Sequence, residues 1–259
     1  MMGILDGKVA WITGAGTGIG RAGAIELARA GVHVTLSGRT ARTLEETAAL
    51  VKQAGGTCVM ELLDVADKKA VADVAARIVK ARGRVDILVN SAGINIPTRA
   101  WGNVDTEGWE QVRSINLDGT FYCCHAVIPT MRAQGGGLIV NVASWLGRHV
   151  SPLGGPSYTA SKAGARFLSE SINAEQGKFG IRACSLCPGE AATPIMDRRP
   201  VKPPQVELDR MLQEEDLGKT ILFLASLPPR VCINEMVVSP TWNRFYVGGL
   251  ETTTPAART

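Results

Sequence analysis

Aromatic residues, long basic runs and long apolar runs are all scarce in this sequence of 259 residues. Aromatic residues make up only 5%, and the net charge of +4 is spread along the chain, so no nucleic-acid surface is indicated. No stretch approaches the ~18 apolar residues of a membrane span. The segment from Met1 to Lys8 lacks the charged start and long apolar core of a signal peptide. We therefore expect a cytoplasmic protein that binds neither nucleic acids nor membranes.

Residues that could hold a metal ion are also sparse. The three histidines, His33, His125 and His149, are scattered along the sequence. Cys184 and Cys187 form one C-x-x-C, but no second such pair or nearby histidine pair completes a zinc site. These two cysteines fall in a predicted strand, on which residues three apart point to opposite faces. We expect no metal site, and we expect buried, reduced cysteines that act as small apolar residues.

Short apolar, β-branched runs alternate with helical patterns along the chain, and this alternation is typical of βαβ units in a parallel sheet. The predicted strands cover residues 8–12, 32–36, 57–62, 85–89, 138–142, 181–186 and 235–238. The predicted helices cover about residues 18–30, 41–54, 67–81, 106–132, 157–178 and 214–226. Together they describe a Rossmann-like, doubly wound α/β sheet of about seven parallel strands. No linker or charge block marks a boundary, so we expect one domain over residues 1–259.

A glycine-rich turn follows the first predicted strand and opens the first helix. Its glycines, Gly14, Gly18 and Gly20, follow the pattern G-x-x-x-G-x-G. Glycines let the backbone approach a pyrophosphate, which then lies against the amides and the positive dipole of the helix N-terminus. A glycine cluster alone is a weak signal, but in the first βα turn of a doubly wound sheet it indicates a dinucleotide site.

The end of the second strand indicates which dinucleotide binds. NAD-binding proteins place an acid about twenty residues after the glycines, near the ribose hydroxyls. This chain has Gly38 and Arg39 there, with no acid. The planar guanidinium of Arg39 is suited to pair with a 2′-phosphate, although an arginine on a surface loop is the plain alternative. We expect NADP as the cofactor, with NAD as the other possibility.

Tyr158 and Lys162 lie four residues apart in a predicted helix, so their side chains share one face. An adjacent ammonium favours the phenolate and lowers the pKa of a tyrosine from its usual value near ~10. A tyrosine tuned in this way can exchange a proton with an alcohol or carbonyl oxygen. Ser144 follows the fifth strand, at the sheet edge where such folds bind ligands. A lone serine there would more often be a helix cap, but its place fourteen residues before Tyr158 favours catalysis.

With these residues assembled, the chain resembles the short-chain dehydrogenase/reductase family, in its ordinary shorter branch, over about residues 5–240. The resemblance rests on the glycine-rich turn and on Asp64-Val65, Asn90-Ser91-Ala92-Gly93, Asn116, Ser144, Tyr158-x-x-x-Lys162 and Pro188-Gly189. It implies that Tyr158 is the acid/base, that Ser144 binds the substrate oxygen and that Lys162 holds the ribose and tunes Tyr158. Asn116 would anchor a water of a proton relay.

The resemblance also assigns the cofactor contacts. Asp64 and Val65 would contact adenine, Asn90 and Gly93 would flank the cofactor, and Thr193 would pack at the nicotinamide end. With Arg39, the expected cofactor-binding residues are Gly14, Thr17, Gly18, Ile19, Gly20, Arg39, Asp64, Val65, Asn90, Ala92, Gly93, Tyr158, Lys162, Pro188, Gly189 and Thr193.

Two segments depart from the family pattern. Ser91 stands where the family usually has a second asparagine, and a small polar residue should be tolerated there. The usual Gly-Gly after the last strand is absent, and an atypical tail begins near residue 240. Trp242, Phe245 and Tyr246 lie close together in this tail. Because exposure of three large rings forfeits apolar burial, we expect the tail to dock on its own substrate pocket or, slightly preferred, on a neighbouring subunit.

These observations favour an NADP(H)-dependent oxidoreductase that interconverts a secondary alcohol and a ketone or other carbonyl compound by hydride transfer. The alternative is a catalytically silent dinucleotide sensor or interaction protein of the same fold. An epimerase or dehydratase of the extended branch would need a larger substrate domain. Family resemblance implies a homodimer or homotetramer that forms through the helices near residues 106–132 and 157–178.

The resemblance places the substrate pocket in residues 145–153 and about 190–212. Ser144, Trp145, Val150 and Met196 are its expected wall, and Leu146, Leu153 and Ile195 would suit an apolar or aromatic carbonyl compound. Basic residues occur in the same segments: Arg148, His149, Arg198, Arg199 and Lys202. They would either attract an anionic group or form a solvated basic surface, and the solvated surface is the preferred interpretation.

Overall fold

The structure is a computed structural model that describes residues 5–247. Seven parallel strands form one sheet in the order β3-β2-β1-β4-β5-β6-β7. The strands are β1 (Val9–Thr13), β2 (His33–Gly38), β3 (Thr57–Leu62), β4 (Ile87–Asn90), β5 (Gly137–Val142), β6 (Ile181–Pro188) and β7 (Glu235–Val238). All seven agree with the sequence-based bounds to within about two residues. The order reverses between β1 and β4, and ligands bind such folds at this switch point.

Helices cover both faces of the sheet. They are α1 (Gly18–Arg29), α2 (Ala41–Gln53), α3 (Lys68–Arg82), α4 (Thr106–Arg113), α5 (Gly119–Ala133), α6 (Gly155–Gln176), α7 (Gln205–Leu208), α8 (Glu214–Ser226) and α9 (Arg244–Val247). The short helices α7 and α9 and the 3₁₀ turn Pro194–Arg198 were not predicted, because pieces this short have no readable apolar period.

The strand residues alternate between two apolar cores. Ala10 and Ile12 of β1 pack with α1, α2 and α8, whereas Val9 and Trp11 pack with α3, α5 and α6. All four of these side chains are buried, as expected for a parallel strand that is covered on both faces. The Rossmann-like, doubly wound α/β fold is therefore confirmed for the described residues.

The helix predicted over residues 106–132 is present as one unbroken helical segment over residues 106–133, but it is not α-helical throughout. The segment is divided into α4 and α5 by a π-helical turn, Ser114–Asp118. A π turn accommodates an extra residue in the helix and is frequent at functional sites. Here it contains Asn116, one of the expected catalytic residues, and the side chain of Asn116 is fully buried.

The cysteines are all free in the described part of the chain. Cys184 and Cys187 lie on β6 and are buried, as are Cys123 and Cys124, but Cys232 is exposed and Cys58 is half-buried. The expectation of burial is thus confirmed for Cys184 and Cys187. Between residues 5 and 247, no group of three His, Cys, Asp or Glu side chains is arranged to hold a metal, and no helix is long and apolar enough to cross a membrane.

Candidate active site

A cavity of about 360 Å³ opens at the carboxyl ends of β1, β4, β5 and β6. Its walls include many of the residues singled out in the sequence. These are Gly14, Thr17, Gly18, Ile19, Arg39, Gly93, Ser144, Trp145, Tyr158, Lys162, Pro188, Gly189, Thr193 and Met196. The fold therefore brings the glycine-rich turn and the Tyr158–Lys162 pair to one site, although they are far apart in sequence.

The glycine-rich turn is built so that only glycine fits at its key positions. Gly14 has a φ of 63°, and a Cβ there would lie 2.7 Å from the backbone nitrogen of Ala92. Gly18 has a φ of 59° and begins α1. Gly20 does not line the cavity; a Cβ there would lie 2.4 Å from the carbonyl oxygen of Gly14, so Gly20 lets the turn close against the helix. The turn leaves the N-terminal end of α1 facing the cavity.

Arg39 follows β2 and lines the cofactor end of the cavity. Its side chain is half-exposed, and its Nη1 lies 4.0 Å from Oδ2 of Asp64. In this loose ion pair the guanidinium keeps most of its donors accessible to a ligand.

Several expected cofactor contacts do not line the cavity. Asp64 accepts a hydrogen bond from the Ala66 backbone N–H at 3.0 Å, and Val65 is buried. Asn90 donates to Oδ1 of Asn141 at 2.9 Å inside the sheet. Like Ala92, whose N–H donates to Oγ1 of Thr13 at 3.3 Å, these residues do not line the cavity. Direct contact of these four residues with the cofactor remains a prediction.

Glu214 is a further feature of the cofactor end, and no motif in the sequence points to it. Its carboxylate lies close to Gly18, whose backbone N–H acts on it, and Arg21 lies nearby. Burial nevertheless raises the pKa of Glu214 above its usual value, since burial outweighs both stabilising contacts. A carboxylate thus lies at the N-terminal end of α1, where an anionic ligand is expected.

Tyr158 and Ser144 line the same cavity, and the Ser144 hydroxyl interacts with the Tyr158 hydroxyl. Ser144 also caps the 3₁₀ turn Trp145–Gly147, because its Oγ accepts from the Leu146 backbone N–H at 3.1 Å. Burial raises the pKa of Tyr158, and Ser144, Arg99 and Arg199 oppose that rise. The expectation of a lowered Tyr158 pKa is therefore wrong for this structure, since desolvation prevails over the neighbouring charges.

Lys162 is buried beside Tyr158. Its Nζ donates to the Val142 carbonyl oxygen at 2.7 Å and lies 5.8 Å from the centre of the Tyr158 ring. Burial lowers the pKa of Lys162 from 10.5 to about 8. A Cβ at Gly93 would lie 3.2 Å from this Nζ, so Gly93 leaves room for the ammonium at the cavity wall.

Asn116 fixes the wall next to Lys162. Its Oδ1 accepts from the Ile94 N–H at 2.8 Å, and its Nδ2 donates to the Ile94 carbonyl oxygen at 2.9 Å and to Oγ of Ser161 at 3.2 Å. Asn116 does not itself line the cavity. The structure thus gives Asn116 a positioning contact, and a water relay through it remains a prediction.

The substrate end has apolar walls from several segments, formed by Trp145, Leu146, Leu153, Ile195 and Met196. Val150, an expected wall residue, does not belong to it. Its side chain is 92% exposed, because the loop after the 3₁₀ turn carries it away from the cavity.

The basic residues of this region divide into two groups. Arg148 and Lys202 are exposed and form ion pairs with Glu235 and Asp197 outside the cavity, as a solvated surface would require. Arg198 and Arg199 line the cavity, and the Arg199 side chain is largely buried. The preferred interpretation as a solvated surface is therefore wrong for Arg199.

A buried ion-pair chain anchors the C-terminal segment on this end of the cavity. Arg199 pairs with Oε1 of Glu190 at 2.6 Å, Arg244 pairs with Oε2 of the same carboxylate, and Nη2 of Arg244 pairs with Glu207 at 2.7 Å. The Arg244 side chain is only 1% exposed. The sequence singled out only Arg199 among these four residues, because they come from four separate segments and meet only in the fold.

The aromatic tail docks on its own substrate pocket. Phe245 lines the cavity and is stacked on Trp145, with ring centres 6.0 Å apart. The edge of Tyr246 meets the same indole at 5.5 Å, although Tyr246 is largely exposed. Trp242 packs under Arg210 instead. Docking on the chain's own pocket is confirmed for Phe245 and Tyr246 but not for Trp242. The slightly preferred docking on a neighbouring subunit stays a prediction, and residues 248–259 of the expected tail lie outside the described residues.

Sequence and structure comparisons agree on one family. The short chain dehydrogenase family matches residues 8–203. The chain is 34% identical over 230 residues to the 3-oxoacyl-(acyl-carrier-protein) reductase FabG of Thermotoga maritima, which covers 86% of this chain and 92% of that protein. An alcohol dehydrogenase from the archaeon Thermococcus sibiricus complexed with 5-hydroxy-NADP has a TM-score of 0.82 at 27% identity, covering 92% of this chain and 98% of that one.

A second solved structure is equally similar in fold. A 7α-hydroxysteroid dehydrogenase complexed with NADH and 7-oxo glycochenodeoxycholic acid has a TM-score of 0.82 at 29% identity, covering 91% of this chain and 94% of that one. The chain belongs to the short-chain dehydrogenase/reductase family. It is an NAD(P)-dependent oxidoreductase that acts on CH–OH or C=O groups. A catalytically silent binding protein is not favoured.

Proposed function

We propose that this protein is an NADP(H)-dependent oxidoreductase that interconverts a secondary alcohol and a ketone, with Tyr158 as the proton donor and acceptor. The observation that carries the proposal is that Tyr158 and Ser144 lie together in the same cavity as the glycine-rich turn. A hydroxyl pair at that place can bind one carbonyl oxygen from two sides and deliver a proton to it.

The cavity suits a nicotinamide dinucleotide. The positive φ angles of Gly14 and Gly18 bring the turn close to the cavity and leave the N-terminal end of α1 open to phosphate. Gly93 and Thr193 continue this wall towards Tyr158. When bound, the cofactor supplies or accepts the hydride. Gly14, Thr17, Gly18 and Ile19 would hold its phosphates.

The protonation states suit carbonyl reduction at neutral pH. Because burial raises the Tyr158 pKa, the phenol carries the proton that the product alcohol requires. Ser144 orients the substrate oxygen towards this phenol. Lys162, with a pKa of about 8, is largely protonated at pH 7 and has donors beyond the one given to Val142 for the ribose hydroxyls. Asn116 holds the Ile94 backbone, and thereby the wall around Lys162, in place.

The cofactor proposal is NADP rather than NAD. It is supported by the Arg39 guanidinium at the cofactor end and by the NADP analogue in the Thermococcus sibiricus alcohol dehydrogenase. The similar hydroxysteroid dehydrogenase contains NADH, so the preference depends on Arg39 itself rather than on the fold. Dissociation constants for both cofactors measure it directly.

Tyr158→Phe tests the mechanism. The change removes the proton donor but keeps the ring, so we expect turnover of cofactor with a panel of ketones to fall by at least ~100-fold. Cofactor affinity should stay within about twofold. Tyr122→Phe is the matched control, because Tyr122 packs against the apolar core away from the cavity. Near-normal turnover by Tyr158→Phe would contradict the assignment of Tyr158.

We also propose assembly as a homodimer or homotetramer through α4, α5 and α6. The support is a set of large apolar side chains that these helices leave exposed: Trp109, Phe121 and Phe167. Light scattering on wild type and on Phe121→Glu with Phe167→Glu tests this proposal, and an unchanged mass would contradict the proposed interface.

A further inference from the structure

We propose that the substrate carries a carboxylate and that Arg99 binds it beside Tyr158. This inference rests on the proposed function, because it specifies the substrate class of the same cavity. The reaction would interconvert an oxo acid and a hydroxy acid. In the reductive direction a hydride joins the carbonyl carbon, the Tyr158 proton joins the carbonyl oxygen, NADPH becomes NADP⁺, and the carboxylate is unchanged.

Arg99 is a buried cation in the cavity wall. Its exposure is only 7%, and it lines the cavity. Its Nε donates to the Ile96 carbonyl oxygen at 2.7 Å, Nη1 donates to that of Leu153 at 3.2 Å, and Nη2 donates to that of Arg198. Within residues 5–247 no carboxylate pairs with it. A buried charge without a counter-ion is costly, and a substrate anion would provide the missing counter-ion.

The contrast with its neighbours strengthens the assignment. Arg199 and Arg244, which are also buried at this end, share the carboxylates of Glu190 and Glu207. Two cations and two anions cancel in that chain of ion pairs. Arg99 therefore adds a net positive charge to the substrate end of the cavity.

The place of Arg99 is fixed relative to the reacting groups. A Cβ at Gly155, the first residue of α6, would lie 2.1 Å from the carbonyl oxygen of Arg99 and 2.9 Å from its Cβ. Nδ2 of Asn95 also donates to the Gly154 carbonyl oxygen at 3.0 Å. The segment with Arg99 is thus clamped against the start of the helix that carries Tyr158, and Arg99 acts electrostatically on the Tyr158 hydroxyl.

The donors of Arg99 are not exhausted by these contacts. A guanidinium has five N–H donors. Three of them reach carbonyl oxygens, which leaves one N–H on each of Nη1 and Nη2 without an acceptor among the described residues. The planar fork of these two nitrogens matches the two oxygens of a carboxylate. The surrounding walls, Trp145, Leu146, Ile195 and Met196, suit an apolar body between the two polar ends.

The test compares acids with uncharged analogues. A series of 2-, 3-, 4- and 5-oxohexanoates and their methyl esters spans the possible separations between carbonyl and carboxylate. We expect at least one acid to exceed its ester in kcat/KM by about 10- to 100-fold, the range for a charge-assisted hydrogen bond. Arg99→Met should reduce this acid-to-ester ratio to near one.

Arg148→Met is the matched control, because Arg148 is an ion-paired arginine outside the cavity. It should leave the ratio unchanged. If Arg99→Met lowers kcat/KM for acids and esters by the same factor, Arg99 only holds the segments that contain Ile96, Leu153 and Arg198 in place, and the proposal is wrong. Equal rates with acids and esters in wild type would also overturn it.

A binding measurement separates this inference from the proposed function. Hexanoate and hexanamide cannot be reduced as ketones, so their dissociation constants with the NADP-loaded protein do not depend on turnover. Tighter binding of hexanoate by about tenfold, lost in Arg99→Met, supports the carboxylate site even if no ketone is turned over. Equal binding of hexanoate and hexanamide overturns the carboxylate site even if neutral ketones are reduced.

Discussion

The two ends of the cavity differ in whether backbone or side chains form them. The cofactor end is mainly backbone: a tight turn, positive φ angles at Gly14 and Gly18, and the N-terminal end of α1. The substrate end is mainly side chains, and its ion-pair chain joins Glu190, Arg199, Glu207 and Arg244 from separate segments. Backbone geometry follows from local sequence, whereas a side-chain assembly depends on the completed fold. Substitutions should therefore affect the two ends separately.

Arg244→Met should give the largest effect and should damage only the substrate end. It leaves the buried carboxylates of Glu190 and Glu207 with fewer partners, and breaking such a pair costs about 3–5 kcal/mol of the free energy of unfolding. Urea denaturation measures this change, and KM for ketones should rise because Phe245 loses its anchor next to Trp145.

Arg77→Met is the control for Arg244→Met, since Arg77 is an exposed arginine paired with Glu61. Its effect on stability should not exceed about 1 kcal/mol. NADP affinity should be unchanged in both variants. A loss of NADP affinity in Arg244→Met comparable to the change in KM would mean that the two ends are not independent.

Lys162 lies between the two ends, and its pKa predicts a pH-dependent stability. Below pH 8 the lysine is charged in both the folded and the unfolded protein, and its desolvation in the folded state lowers the free energy of unfolding. Between pH 8 and 10.5 the folded protein binds fewer protons than the unfolded one, so its stability rises with pH. The drop in the Lys162 pKa from 10.5 to about 8 corresponds to a change of roughly 3 kcal/mol in the free energy of unfolding.

The difference in unfolding free energy between wild type and Lys162→Met isolates this contribution from other titrating groups. Relative to the variant, wild type should gain stability as the pH rises from 7.5 to 10.5, as measured by urea denaturation of the cofactor-free protein. A difference that stays constant over that range would mean that Lys162 is not desolvated as its burial indicates.

Arg39→Ala should affect only the cofactor end. The loss of a charge-assisted contact to a 2′-phosphate should weaken NADP binding by about 1–3 kcal/mol, whereas NAD binding should change little. Fluorescence titration with both cofactors provides the internal control. Equal affinities for NAD and NADP in wild type would contradict the proposed role of Arg39.

Glu214→Gln should give the smallest effect, and it should strengthen cofactor binding rather than weaken it. Removal of a negative charge from the N-terminal end of α1 should tighten the binding of both NAD and NADP, by about 0.3–1 kcal/mol. Glu215→Gln is the matched control, because Glu215 is the next residue in α8 and is exposed. If both variants tighten binding equally, the effect comes from net charge rather than from the contact between Glu214 and Gly18.

The sequence predicted the strands well, because apolar β-branched runs and short turns are local signals. The π turn within residues 106–132 was missed, because the single glycine that follows it, Gly119, lies in an otherwise helical pattern and does not by itself indicate a change of helical phase. At the site, the fixed spacing of the glycines and of Tyr158 and Lys162 identified two wall segments. Arg99 was missed because its significance depends on carbonyl oxygens of Ile96, Leu153 and Arg198, which only the fold brings together.

The π turn Ser114–Asp118 has a consequence for how this protein tolerates changes in length. One residue of an α-helix rotates the chain by about 100°, so the extra residue of the turn sets the angular offset between α4 and α5. A one-residue deletion there would bring back a regular helix and turn either Asn116 or the buried face of α5 away from its partners. An exposed loop can lose one residue without displacing the elements on either side of it. A deletion in this helix would instead rotate every residue that follows in α5. In the segment Ser114–Asp118, the number of residues therefore matters more to the fold than the identity of each residue.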